Sequence, residues 1–203
     1  SRTKRSYKEE QEYAALEQEV EDLAGAAGDE PFCLFLSPHQ PHYTPHQFAP
    51  EPYYARLPEM LHLPENVPAA MRETSLEMYR HYLAMTLAVD DMLGELLDYL
   101  ERTGKAENTL LIFGSDHGTQ AGAHGVRPWE KRHPYQESLH VPLVMRVPGL
   151  APRRLAARVG LVDLLPTVLE LLDLAQGPAV EGESSSSPSS RERAEPGRAI
   201  SLR

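Results

Sequence analysis

The chain has 203 residues, 41% hydrophobic and 25% charged, which is ordinary globular usage and excludes disorder over the whole length. Acidic residues number 30 against 20 Lys and Arg, a formal net charge of -10 that would repel a phosphate backbone, so nucleic acid is not an expected partner. The single cysteine, Cys33, excludes an internal disulfide framework and a cysteine-rich zinc site. No apolar run approaches the ~18 residues needed to cross a bilayer. The opening SRTKRSYKEEQEY lacks the apolar core of a signal peptide, so the chain reads as soluble, without a membrane partner and with no compartment specified. It starts at Ser1 rather than Met, which leaves room for residues before it.

Taken in chain order, residues 8–24 predict a helix, with Tyr13, Leu16, Val20 and Leu23 on one face and Gly25 and Gly28 ending it. Residues 31–37, PFCLFLS, predict a short buried strand with Cys33 in the core. Prolines at 38, 41, 45, 50, 52, 58, 64 and 68 exclude regular helix or central strand from the segment that follows, which is expected to be one long loop. Loops of that length in compact domains usually carry function.

Residues 70–102 predict the longest helix. Its apolar stripe runs through Leu76, Tyr79, Leu83, Leu87, Met92, Leu96 and Leu100, widened by Met85, Val89, Leu93 and Leu97, and Thr103-Gly104 supplies the stop. Strands are predicted at 109–113 (TLLIF) and 141–147 (VPLVMRV), separated by the loop GSDHGTQAGAHGVRPWEKRHPYQES. Residues 163–174 predict a helix with Asp163 as N-cap and Pro166 in its first turn. Helix, strand, long helix, strand, strand and helix together indicate an α/β domain, a mostly parallel sheet flanked by helices. From Gly177 onward Ser, Pro, Gly and charge dominate, and 177–203 reads as a linker or disordered tail.

Three places could carry chemistry. Ser115-Asp116-His117-Gly118 follows a predicted strand directly, and ligands of open α/β sheets sit beyond the carboxyl ends of strands. A carboxylate and an imidazole there can ligate a hard divalent cation, or one can orient the other; an Asx-type turn with a solvated histidine uses the same residues. In the next loop, Lys131 could act as a point charge for a sulfate or phosphate, although Lys-Arg pairs are commonly plain surface residues. His124, between Ala123 and Gly125, can ligate or simply brace the loop. Finally, His39, His42 and His46 lie on a proline-stiffened loop, where holding an imidazole for proton transfer costs less entropy. Their spacing matches no zinc pattern.

These blocks, in this order, resemble the sulfatases of the alkaline phosphatase superfamily: VDDMLGELLDYLERTGKAENTLLIFGSDHGTQAGAHG, then Lys131, then PYQESLHVPLVMRVPG and LVDLLPTVLELLDL, with FLSPHQPHYTP upstream. The likeness runs from about residue 30 to 176 and resembles the C-terminal half of a sulfatase catalytic domain. It implies an incomplete α/β domain over 1–176, with Asp116 and His117 as metal ligands. The metal would be divalent, calcium rather than magnesium. The resemblance further implies that Lys131 binds the sulfate group, that His42 lies near the leaving-group oxygen, and that His124 lies close to the substrate. The implied reaction is hydrolysis of a sulfate ester.

The departures are equally specific. The family's C/S-x-P/A-S-R nucleophile motif, whose Cys or Ser becomes formylglycine, is absent, since Leu-Phe-Leu-Ser follows Cys33. The paired aspartates of the family's first strand are absent too, and Asp90-Asp91 falls in the long helix. The chain is therefore expected to be a fragment that is inactive alone, with formylglycine and part of the metal site supplied by a missing N-terminal half as its partner. A phosphodiesterase or phosphonate monoester hydrolase of the same superfamily is the alternative enzyme. A non-catalytic fragment or binding module is the alternative outside enzymology.

Overall fold

A computed structural model describes residues 22, 30–43, 49–177 and 180–186. The predicted helix 8–24 lies outside the described residues except for Asp22, and so does His46. The chain divides into two compact units. The first runs to Leu111 and includes His117–Val141 and Arg146–Pro148; the second comprises Ile112–Asp116, Pro142–Met145 and the residues from Gly149 onward.

The first unit is built on α2, Arg72–Arg102, preceded by α1, Glu51–Ala55. At ~1.5 Å per residue, the 31 residues of α2 extend about 46 Å. Its end follows the predicted stop. Gly104 takes φ +69, the Lys105 amide donates to the Leu100 carbonyl, and the Thr103 hydroxyl donates to the Tyr99 carbonyl. The buried positions of α2 are Ser75, Met78, Ala84, Met85, Ala88, Tyr99 and Leu100. Of the predicted stripe, Leu100 and Met85 are buried while Leu76 is exposed, and the small residues Ser75, Ala84 and Ala88 are fully buried beside them. Periodicity finds a helix, but its neighbours choose the buried face, and short side chains there let other backbone come close.

Two apolar clusters form on α2. Tyr99, Leu100 and Ala106 pack with Leu34, Leu36, Leu96 and Leu111. Ala49, Ala84 and Met85 pack with Tyr43, Tyr53, Tyr54 and Leu57. The predicted strand 31–37 does not form. Leu34 and Leu36 turn inward while Phe35 and Cys33 are exposed, so the alternation of a strand survives without a hydrogen-bond ladder. Apolar alternation decides which side chains face inward; a strand needs a neighbouring backbone as well. Cys33 is accordingly a surface residue and not a core one. The proline-rich segment also differs from expectation by containing α1. Pro50 precedes this helix and Pro52 occupies its first turn, where no intrahelical amide partner is needed.

In the sheet, β1 (Leu111–Gly114) pairs with β2 (Leu143–Arg146), and all but Leu111 and Arg146 of the two strands belong to the second unit. These strands match two of the three predicted. The helix of the second unit, α4, spans Leu164–Leu171 after a 3-10 turn at Leu161–Asp163, with Pro166 buried in the first turn. Asp163 does not cap α4 as predicted. Its carboxylate reaches back to accept the Gly160 amide at 2.7 Å and also accepts the Glu183 amide at 2.9 Å. The Thr167 hydroxyl accepts the Ser185 amide at 2.9 Å, so described residues beyond Gly177 bond to the start of this helix. Among the described residues no helix is long and apolar enough to cross a membrane.

Candidate functional site

The loop after β1 is held by its own backbone and by α2. The Gln120 and Ala121 amides donate to the Glu130 and Pro128 carbonyls, both at 2.8 Å, and the Thr119 hydroxyl donates to Pro128 at 3.1 Å. The Gly118 amide donates to Ser138 at 2.9 Å, and a Cβ at Gly118 would collide with the Glu137 carbonyl. The segment 118–121 is therefore tied to both 128–130 and α3, Gln136–Leu139. Glycine is required where the backbones touch.

Lys131 leaves this braced loop. Its Nζ lies 2.9 Å from Nε2 of His42, although 89 residues separate them in sequence. A lysine ammonium can only donate, so Nε2 of His42 accepts, and the neutral ring carries its proton on Nδ1. The His42 ring stacks on His39, with centroids 5.1 Å apart, and the His42 amide donates to the His39 carbonyl at 3.0 Å.

His124 sits at φ +57 and ψ +16, a left-handed conformation that a side chain seldom takes. Its amide donates to the Asn66 carbonyl at 3.0 Å, and its ring stacks on Tyr135 with centroids 3.9 Å apart. Its Nε2 is 3.3 Å from Glu137 Oε1 and 3.2 Å from Asn66 Nδ2, and Asn66 Nδ2 donates to Glu137 at 2.8 Å. Burial pushes the Glu137 carboxyl up, but the Asn66 bond, the helix backbone and His124 together outweigh it, and the group lies below its ordinary range. Asn66, Tyr135 and Glu137 are absent from the sequence-based candidates. Glu137 reads in sequence only as an acid in a helical first turn, and Asn66 as a turn residue between prolines.

His117 belongs to the first unit and Asp116 to the second, so each is described within its own. Nδ1 of His117 donates to the Gly118 carbonyl at 2.8 Å. That bond leaves the lone pair on Nε2, the arrangement of an imidazole able to ligate a metal. Asp116 follows β1 by two residues and is exposed. Among the described residues no group of three or more His, Cys, Asp or Glu is arranged to hold a metal ion.

A sulfatase family profile matches residues 2–174. The chain is 35% identical over 162 residues to an ulvan-active sulfatase of Formosa agariphila, covering 78% of this chain and 32% of that protein. A solved structure from work on glycosaminoglycan metabolism by Bacteroides thetaiotaomicron superposes with a TM-score of 0.72 at 28% identity, over 93% of this chain and 40% of the other. The phosphonate monoester hydrolase of Silicibacter pomeroyi superposes with a TM-score of 0.66 at 25% identity, over 86% of this chain and 41% of its own. The chain thus spans about a third of that sulfatase's length, with the α/β fold of the alkaline phosphatase superfamily, and the match over 2–174 makes it a member of the sulfatase family.

Proposed function

We propose that this chain supplies the sulfate-binding and leaving-group side of a sulfatase active site that hydrolyses a sulfate ester. The observation that carries this reading is the 2.9 Å contact between Lys131 Nζ and His42 Nε2. A fixed ammonium beside a neutral imidazole is suited to a sulfate ester. Lys131 can turn its donors to the sulfate oxygens, where negative charge must be held as the S–O bond breaks. That turn frees Nε2 of His42 to take up a proton from solvent and deliver it to the leaving oxygen as the S–O bond breaks. His124, braced by Asn66, Glu137 and Tyr135, would contact substrate beside Lys131.

Membership of the family implies a divalent metal. Asp116 and His117 would hold it, Asp116 through a carboxylate oxygen and His117 through Nε2, with calcium favoured over magnesium. When bound, the metal would supply charge stabilisation on sulfate oxygens. The nucleophile would come from residues outside these 203, as a formylglycine in the C/S-x-P/A-S-R motif that this sequence lacks. The likeness to a phosphonate monoester hydrolase supports a second reading, hydrolysis of a phosphorus ester at the same site.

The test is turnover of p-nitrophenyl sulfate and of a bis-aryl phosphate, by the chain alone and by a longer protein that contains it with an intact nucleophile motif. Sulfate turnover by the longer protein only is expected. Phosphodiester turnover without sulfate turnover would favour the second reading, and no turnover of either would favour a binding module. Robust sulfate hydrolysis by the chain alone would overturn the assignment of its nucleophile to other residues.

A further inference from the structure

His81 lies on α2 and has no place in the chemistry above, yet it meets the loop that carries His42. The Tyr54 hydroxyl is hydrogen-bonded to Nδ1 of His81 at 2.7 Å, and the Tyr54 ring meets His81 edge-on, with centroids 5.5 Å apart at 83°. On the other partner, the Tyr43 ring stacks on His81 at 6.1 Å and 27°. Tyr43 is the residue after His42, and its side chain packs with the buried cluster of Ala49, Ala84 and Met85. Arg80 places its guanidinium 6.0 Å from the Tyr54 ring centroid. A histidine is thus held by two tyrosines from the proline-rich segment, one of them adjacent to the residue that bonds Lys131.

We propose that His81 is a positioning residue for His42: bonded to Tyr54 and stacked on Tyr43, it fixes the loop so that His42 Nε2 stays on Lys131 Nζ. Paired aromatic rings contribute beyond their buried area, and a hydrogen bond to one ring fixes its plane for the other. Glu77 and Arg80 of its own helix act electrostatically on His81. Tyr43 and Tyr54 face it from the loop and α1. Burial lowers the His81 pKa, with Glu77 opposing and Arg80 adding, so the imidazole is neutral near pH 7. Burial, then Glu77, raises that of Tyr43, which keeps the phenol protonated. Two uncharged rings can stay stacked across the range in which a sulfate ester would be handled. The importance of this for turnover rests on the sulfatase reading; the positioning itself does not.

The experiment reads the His42 tautomer in the chain by long-range ¹H–¹⁵N spectra, with no substrate present, so its failure is distinct from a failure of the sulfatase reading. Wild type is expected to show Nδ1 protonated and Nε2 as the acceptor. His81→Leu, which keeps apolar bulk but removes ring and nitrogens, should lower the ratio of Nδ1–H to Nε2–H tautomers about fivefold, the size of one net hydrogen bond. Tyr54→Phe, which removes only the hydroxyl, should lower it about twofold. Far-UV circular dichroism establishes that each variant is folded. An unchanged ratio in folded His81→Leu overturns the proposal. Should that variant not fold, an unchanged ratio in Tyr54→Phe overturns it, and so does a wild-type His42 with the tautomer mixture of a free imidazole.

Discussion

Glu130 and Arg132 are joined across Lys131: Arg132 Nε donates to Glu130 Oε1 at 3.0 Å, and the Lys131 amide donates to the same oxygen at 3.2 Å. Arg132 and the two backbone amides hold the Glu130 carboxyl at about 2, against an ordinary value of 4.5. Arg132 is open to solvent, so the pair's contribution to stability is small. Its local effect is to pin the main chain from which Lys131 projects. A depressed carboxyl stabilises the loop fully above its unfolded value, and that stabilisation is lost as pH falls from 4.5 through about 2. Carboxyl ¹³C titration should find the Glu130 midpoint near 2 in the chain and higher in Arg132→Ala. A midpoint near 4.5 in wild type would remove this account of the loop.

Gly122 should not tolerate a side chain. It has φ +87, and a Cβ there would overlap Ser75 Oγ on α2. Gly122→Ala is expected to cost about 2–4 kcal/mol from backbone strain and overpacking together. Ser75→Gly in the same chain should recover the overpacking part and leave the strain. Urea unfolding midpoints of the two variants measure both; equal midpoints would mean that the loop does not seat on α2 through this contact.

Lys131→Ala should lower kcat/KM for p-nitrophenyl sulfate about 100- to 1000-fold in the longer, active protein, the usual cost of removing one donor to a developing negative charge. His42→Ala should lower kcat by a comparable factor for a poor leaving group and by less for p-nitrophenolate, which departs without a proton. Equal losses across leaving groups would remove His42 from proton transfer.

Metal binding by the chain should be weak. With one carboxylate and one imidazole, a calcium ion keeps most of its waters, and a Kd of about 1 mM or weaker is expected by calorimetry. Asp116→Ala should abolish what binding there is. Micromolar binding that survives Asp116→Ala would place the ligands elsewhere.

Local physics sufficed for part of this protein. The length of α2, its stop at Thr103-Gly104, the strands before Asp116 and after His140, and Pro166 in a helical first turn all follow from periodicity, caps and ring geometry over a few residues. The order of sulfatase-like blocks is likewise a property of the sequence alone. What tertiary structure decided involves residues far apart. Residues 31–37 carry the alternation of a strand and have no ladder partner among the described residues, and Cys33 lies on the surface. Asp163 holds a preceding turn and a later segment because Gly160 and Glu183 present their amides to it. The sequence marks His42 and Lys131 as candidates, but their contact at 2.9 Å depends on two loops braced separately, one by α2 and one by its own backbone. Asn66, Glu137 and His81 carry no local mark at all. A side chain takes such a role from what the fold brings against it, and that information is not contained in its neighbours along the chain.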